Sequence, residues 1–89
     1  MAESIRGLLE FPCTFPLKAI GTGVEDFETL VLEIVRRHVP QFDEDAVTRR
    51  LSRGGRYLAV TATFVAESRR QLDALYQELS AHERVVMLL

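Results

Sequence analysis

The stretch Asp45-Ala46-Val47-Thr48-Arg49-Arg50-Leu51-Ser52-Arg53-Gly54-Gly55-Arg56-Tyr57-Leu58-Ala59-Val60-Thr61-Ala62-Thr63-Phe64-Val65-Ala66 reads as two β-strands joined by a turn. Gly54 and Gly55 tolerate the positive φ angles that a two-residue hairpin turn requires. Folding the chain about that pair sets Arg53 against Arg56, Ser52 against Tyr57, Leu51 against Leu58, Arg50 against Ala59 and Val47 against Ala62. One face of the hairpin then carries Val47, Leu51, Leu58, Val60, Ala62 and Phe64. The other carries Thr48, Arg50, Tyr57, Ala59, Thr61 and Thr63. A one-residue slip would exchange the two faces, so this clean sorting specifies the register. Arg49 is the misfit on the apolar face. An edge strand accommodates it by letting the guanidinium snorkel to water.

Upstream, residues 14–20 alternate Phe15, Leu17 and Ala19 with Pro16, Lys18 and Ile20, which is the period of a strand. Gly21 and Gly23 punctuate the chain, and a helix is expected over residues 24–39. Phe27, Leu30, Val31, Ile34, Val35 and His38 recur three and four apart and share one face. Burial of such side chains contributes about 1.5–3 kcal/mol each, and this holds the helix on a sheet better than propensity would. Thr22 and Glu25 have capping-box spacing, and Pro40 ends the helix. Arg36, Arg37 and His38 suit the negative end of its dipole, where His38 can reach the last carbonyls. Downstream, Ser68 and Gln71 form a second capping box before a helix over residues 69–81, with Leu72, Leu75, Tyr76 and Leu79 as its buried stripe. Arg84-Val85-Val86-Met87-Leu88-Leu89 reads as a last strand, apolar on both faces.

The order strand, helix, strand, strand, helix, strand is that of an α+β ferredoxin-like βαββαβ plait. Right-handed crossovers put both helices on one face of a four-stranded antiparallel sheet, with the first and third strands central. The chain divides into an N-terminal arm over residues 1–13 and a single domain over residues 14–89. With 89 residues, 47% apolar and 27% charged, the composition is that of one small globular domain. A formal net charge of −2 sets up no global field toward nucleic acid or anionic membrane. The lone Cys13 has no disulfide partner, and no apolar run reaches membrane-spanning length, so the expected location is the cytoplasm.

No residues assemble into a catalytic or metal site. His38, His82 and Cys13 stand apart, without ligands at zinc spacing. Asp43-Glu44-Asp45 lacks the alternation and glycine of a calcium loop. Gly21-Thr22-Gly23 is too short for a dinucleotide or phosphate loop. No enzyme activity and no cofactor are therefore expected. What remains is surface. Arg49, Arg50, Arg53 and Arg56 cluster on the hairpin, where facing like charges repel unless water or an anion offsets them. The sheet face away from the helices is expected to carry Lys18, Ile20, Tyr57, Ala59, Val86 and Leu88. A partly apolar uncovered face marks a contact surface. In RNA-recognition domains of this fold that face stacks bases on aromatics, whereas Tyr57 stands nearly alone here.

Several segments together resemble one family. Leu8-Leu9-Glu10-Phe11-Pro12 followed by Phe15, Lys18 and Gly21, then Arg37-His38-x-Pro40, Leu75-Tyr76-x-Glu78-Leu79 and Met87-x-Leu89, are similar to the YbeD-like family of small bacterial proteins. The resemblance covers nearly the whole chain and departs in the hairpin, where Arg49-Arg50-Leu51 stands in a more polar region of the family. It implies a ferredoxin-like fold close to the ACT regulatory domains, and no assigned activity. It also implies that a ligand loop, if there is one, lies between the first strand and first helix, at Gly21, Thr22 and Gly23. The expectation is a non-enzymatic regulatory or adaptor domain, acting by self-association or through a protein partner, with a small ligand as an optional addition. The candidate partner or ligand surface is Lys18, Ile20, Gly21, Thr22, Gly23, Arg50, Arg53, Arg56, Tyr57, Val86 and Leu88. The alternative is nucleic-acid or anion binding through the Arg hairpin; no membrane association is expected.

Overall fold

The computed structural model describes residues 10–89. Four strands, β1 (Cys13–Gly21), β2 (Val47–Leu51), β3 (Leu58–Ala66) and β4 (Val85–Leu88), alternate with helices α1 (Phe27–His38) and α2 (Arg69–Ser80) in the order β1-α1-β2-β3-α2-β4. The sheet is antiparallel with spatial order β2-β3-β1-β4, so β1 and β3 are central and β2 and β4 are edges. This is the ferredoxin-like plait expected from the chain order. The first nine residues of the expected 1–13 arm lie outside the described residues. Cys13, counted with the arm, already pairs with Ala66 as the first residue of β1.

One core explains why these segments fold as they do. Leu17 and Ala19 of β1, and Leu58, Val60, Ala62 and Phe64 of β3, are buried on the face covered by Phe27, Val31, Ile34 and Val35 of α1 and Leu72, Leu75 and Leu79 of α2. The period of two in the strands and the three-four spacing in the helices meet there. Ser68 caps α2, its hydroxyl accepting from the Gln71 backbone N–H at 3.1 Å. The reciprocal half of that capping box differs. Gln71 Oε1 accepts from Glu67 N–H at 2.7 Å, and its Nε2 donates to the His38 carbonyl at 2.8 Å. Gln71 thus ties the start of α2 to the end of α1.

Two local expectations are corrected. The capping box between Thr22 and Glu25 does not form. The chain turns once more before α1, with Asp26 and Phe27 N–H groups donating to the Gly23 carbonyl, and the Asp26 carboxylate turns to Arg84. His38 directs its ring at Glu78 Oε1, 2.7 Å away, rather than at the last carbonyls of its own helix. Arg37 also pairs with Glu78, so one α2 carboxylate holds the C-terminal turn of α1.

The hairpin keeps the expected register, with Val47 opposite Ala62, Arg50 opposite Ala59 and Leu51 opposite Leu58. Its turn is different. Gly55 N–H donates to the Ser52 carbonyl at 2.9 Å, and Gly55 carries the positive φ of 76°. The β-turn is Ser52–Gly55, and a four-residue loop, Arg53 to Arg56, connects the strands. Two- and four-residue loops about the same centre place the same residues opposite each other. The register therefore survives although Arg53 and Arg56 are loop residues and not a cross-strand pair.

Candidate functional site

The surface left uncovered by α1 and α2 is built from the outward positions of the four strands. From β1 these are Thr14, Pro16, Lys18 and Ile20, and from β3 Ala59, Thr61, Thr63 and Val65. β2 adds Thr48 and Arg50, which face Thr61 and Ala59. The fourth strand does not follow its expected phase. Ile20 pairs with Met87 while Gly21 pairs with Val85, a bulge that leaves Val86 as the extra residue. The bulge turns Leu88 onto the helix face, where it packs against the core opposite Ala19, and brings Met87 to the open face beside Ile20. Leu88 is thus removed from the expected surface and Met87 replaces it. Leu89 exchanges backbone hydrogen bonds with Lys18 and extends the same face. Val65, Met87 and Leu89 expose 49%, 50% and 60% of their surface. Val86, exposed at the bulge, remains at the β4 edge.

The electrostatics of this face are one-sided. Among the described residues, no Asp or Glu occupies an outward strand position, while Lys18 and Arg50 do. Five arginines off this face are paired, Arg36 with Glu44, Arg37 with Glu78, Arg49 with Glu28, Arg69 with Asp73 and Arg84 with Asp26, while Arg70 on the exposed side of α2 has no ion pair among the described residues. Arg49 meets Glu28 in a bidentate pair at 2.5 Å, which clips the edge strand β2 to α1 and resolves the misfit of a charge on the apolar face. Hydrogen bonding to Arg49 holds the Glu28 carboxyl below its ordinary pKa against a partial desolvation, and the same contact raises Arg49. Arg50 and Arg53 have no ion-pair partner among the described residues. Arg56 lies with its guanidinium 6.0 Å from the Tyr57 ring centroid.

At the hairpin end of the open face, Ile20, Arg50, Leu51, Ser52, Arg53, Tyr57 and Ala59 line a shallow hollow of about 410 Å³. Four residues of the expected surface, Ile20, Arg50, Arg53 and Tyr57, converge there, and Arg56 lies beside the Tyr57 ring. Tyr57 N–H donates to Ser52 Oγ at 3.0 Å, which joins the two ends of the loop next to the hollow.

Gly21, Thr22 and Gly23 lie elsewhere and are already filled. The Arg84 guanidinium donates to the Thr22 carbonyl at 3.2 and 3.3 Å, the Gly23 carbonyl at 2.7 Å and Asp26 Oδ1 at 2.5 Å. The hydrogen bond from Arg84 is the main cause that lowers the Asp26 carboxyl below its ordinary pKa. Gly23 has φ +74°, and a side chain there would meet that guanidinium. Arg84 was not among the expected site residues. Its position eleven residues after Asp73 carries no sequence signal for contact with a loop sixty residues upstream.

A second hollow, about 490 Å³, lies at the opposite end of β3 between Val39–Asp43, Phe64, Val65, Glu67 and Gln71. None of the expected site residues touches it, and it contains no nucleophile with an adjacent base. Among the described residues no three His, Cys, Asp or Glu side chains are grouped to hold a metal ion, and no helix is long and apolar enough to cross a membrane.

Comparison with known proteins gives a consistent result. The family described as "Protein of unknown function (DUF493)" matches residues 6–89. A UPF0250 protein of Nitrosomonas europaea is 48% identical over 84 residues, covering 94% of this chain and 97% of the relative. A UPF0250 protein of Chromobacterium violaceum is 45% identical over 89 residues, with both chains covered completely. Among solved structures, protein HP0495 from H. pylori superposes with a TM-score of 0.73 at 17% identity, over 91% of this chain and 85% of that one. The C-terminal domain of the MgtC protein from Mycobacterium tuberculosis gives 0.62 at 17% identity, over 91% and 87%. At that identity the two structures share the fold alone.

Proposed function

The chain belongs to the DUF493, or UPF0250, family of small bacterial proteins, the YbeD-like family, and on that premise we propose that it works as a non-catalytic regulatory or adaptor domain of the ACT-like kind. It binds a protein partner in the cytoplasm through its open sheet face. The observation that carries this reading is the uncovered face itself. Ile20, Val65, Met87 and Leu89 present apolar surface there between rows of threonine, with Lys18 and Arg50 as its charges and no carboxylate among the described outward positions. Ile20, Met87 and Leu89 adjoin on the β1–β4 side, and a grouped apolar patch on an uncovered face is the kind of surface that marks a contact site.

The chain offers its own probe for this proposal. Lys18 is its one lysine and sits in the middle of the open face. An amine-reactive crosslinker applied in native lysate can therefore attach only there or at the N-terminus. The expected result is a reproducible protein crosslinked to Lys18, lost in Met87→Glu and retained in Arg70→Glu on the exposed surface of α2. Capture that is indifferent to Met87→Glu in a folded protein would overturn the open-face reading. A crosslink to a second copy of the chain would make that partner the protein itself.

A further inference from the structure

We propose that the hollow at the hairpin end of the open face is a carboxylate-binding subsite, taking a Glu or Asp side chain from an extended, apolar-flanked acidic segment of the partner protein. This rests on the open-face reading and names the partner's chemistry. Arg50 enters the hollow from the outward side of β2 and Arg53 from the turn. Five other arginines in the described chain are matched to a carboxylate, whereas Arg50, Arg53, Arg56 and Arg70 are not, and of these four Arg50 and Arg53 line the hollow. A guanidinium presents a planar fork of donors that fits a carboxylate edge-on. The floor beneath them is apolar, made by Ile20, Ala59 and the Tyr57 ring, which suits the apolar residues flanking the carboxylate.

The turn supplies rigidity. The Ser52–Gly55 hydrogen bond and the Tyr57-to-Ser52 contact hold Arg53 on a closed loop rather than a free tip. The adjoining edge supplies backbone groups. Ser52 N–H points at Tyr57, so by the two-residue alternation of an antiparallel ladder Arg50 and Thr48 also bond toward β3. The backbone N–H and C=O groups of Arg49 and Leu51 then point outward along the free edge of β2. An extended peptide added at that edge has its main chain bonded and its alternate side chains over the hollow. Single-stranded RNA is the poorer match. It needs a run of stacking aromatics, and Tyr57 is the one aromatic in the hollow.

The test is an NMR titration of the full chain with the peptide acetyl-Val-Glu-Phe-Glu-Val-amide, its Gln-for-Glu analogue and oligouridine. The expected result is amide shifts confined to residues around Arg50, Ser52, Arg53 and Tyr57. The Gln analogue is expected to bind at least ~10-fold more weakly, and added salt to weaken the Glu peptide. Arg50→Ala/Arg53→Ala abolishes the shifts, and Arg50→Lys/Arg53→Lys, which keeps the charge and loses the fork, restores them only in part. Equal binding of the Gln analogue, unchanged binding by the Ala pair, no shifts at all, or the same shifts produced more strongly by oligouridine would each overturn the proposal. Failure of the open-face reading looks different: capture at Lys18 is then indifferent to Met87→Glu. Lys18-directed capture that survives in the Ala pair and is lost in Met87→Glu leaves the adaptor reading standing and removes the carboxylate subsite alone.

Discussion

Gly21→Ala tests how tightly the β1–α1 connection is packed. A methyl carbon at Gly21 would lie 2.2 and 2.3 Å from two carbons of the Phe27 ring and 2.4 Å from the Arg84 carbonyl oxygen. Neither obstacle can swing into solvent. Phe27 is fully buried at the first turn of α1, and the Arg84 carbonyl accepts from Thr22 N–H. Either α1 or the entry to β4 must move, an overpacking cost of about 3 kcal/mol. Replacing glycine also removes freedom from the unfolded chain, which offsets about 0.7 kcal/mol. The net expectation is a loss of about 2 kcal/mol, or a fall in Tm of about 8–16 °C for a domain of this size. Urea and thermal unfolding followed by circular dichroism measure it. Gly54→Ala is the control, because nothing lies within 4 Å of its added carbon and stability should stay within about 0.5 kcal/mol. Phe27→Leu in the Gly21→Ala background removes the ring contacts, so the double variant should cost less than the sum of the singles by at least about 0.5 kcal/mol. A Gly21→Ala protein as stable as the parent would refute the packing described for this connection, and with it the claim that Arg84 and Phe27 fill the loop.

Other substitutions separate structure from surface. Leu88→Glu places a charge against the core and should cost about 2–3 kcal/mol in urea unfolding, whereas Met87→Glu on the open face should change stability by less than about 0.5 kcal/mol. A double-mutant cycle on Glu28→Gln and Arg49→Ala should give a favourable coupling that shrinks in high salt. Asp26 and Glu28 have lowered carboxyl pKa values in the folded chain, so the unfolded chain binds more protons in acid. Their contribution to stability is complete above the ordinary carboxylate range and is lost as pH falls through and below about 4, so Asp26→Asn/Glu28→Gln should flatten the acid limb of the stability profile. Arg84→Ala releases the Thr22 and Gly23 carbonyls, and hydrogen exchange over residues 22–26 should quicken while β3 amides stay protected.

Much of the plait is legible in the chain because its signals are local. The hairpin register follows from which residues are apolar, since only one pairing puts Leu58, Val60, Ala62 and Phe64 on a single face with Val47. The helices follow from three-four spacing, and the Ser68 cap from a hydroxyl placed at the start of an apolar stripe. The hairpin half of the candidate site was legible for the same reason. Arg50, Tyr57 and Ile20 fall on the open face by simple alternation. Alternation fails at β4, where one extra residue between Met87 and Val85 reverses the faces of Met87 and Leu88. A run apolar on both sides contains no mark for the bulge.

The amino-acid sequence alone determined the order of elements, the ferredoxin-like topology and the hairpin register, because each depends on the period or presence of residue types over a short window. Only the tertiary structure decided how charges are shared out. Arg49 finds Glu28, Arg84 enters the Gly21–Gly23 loop, and His38 and Arg37 meet Glu78, all across separations of more than twenty residues. Long flexible side chains choose partners by where the packed backbone leaves them, and that depends on crossover geometry that no local pattern encodes. That the pairings leave Arg50 and Arg53 without a carboxylate at the one hollow they line is visible only after the rest have been matched.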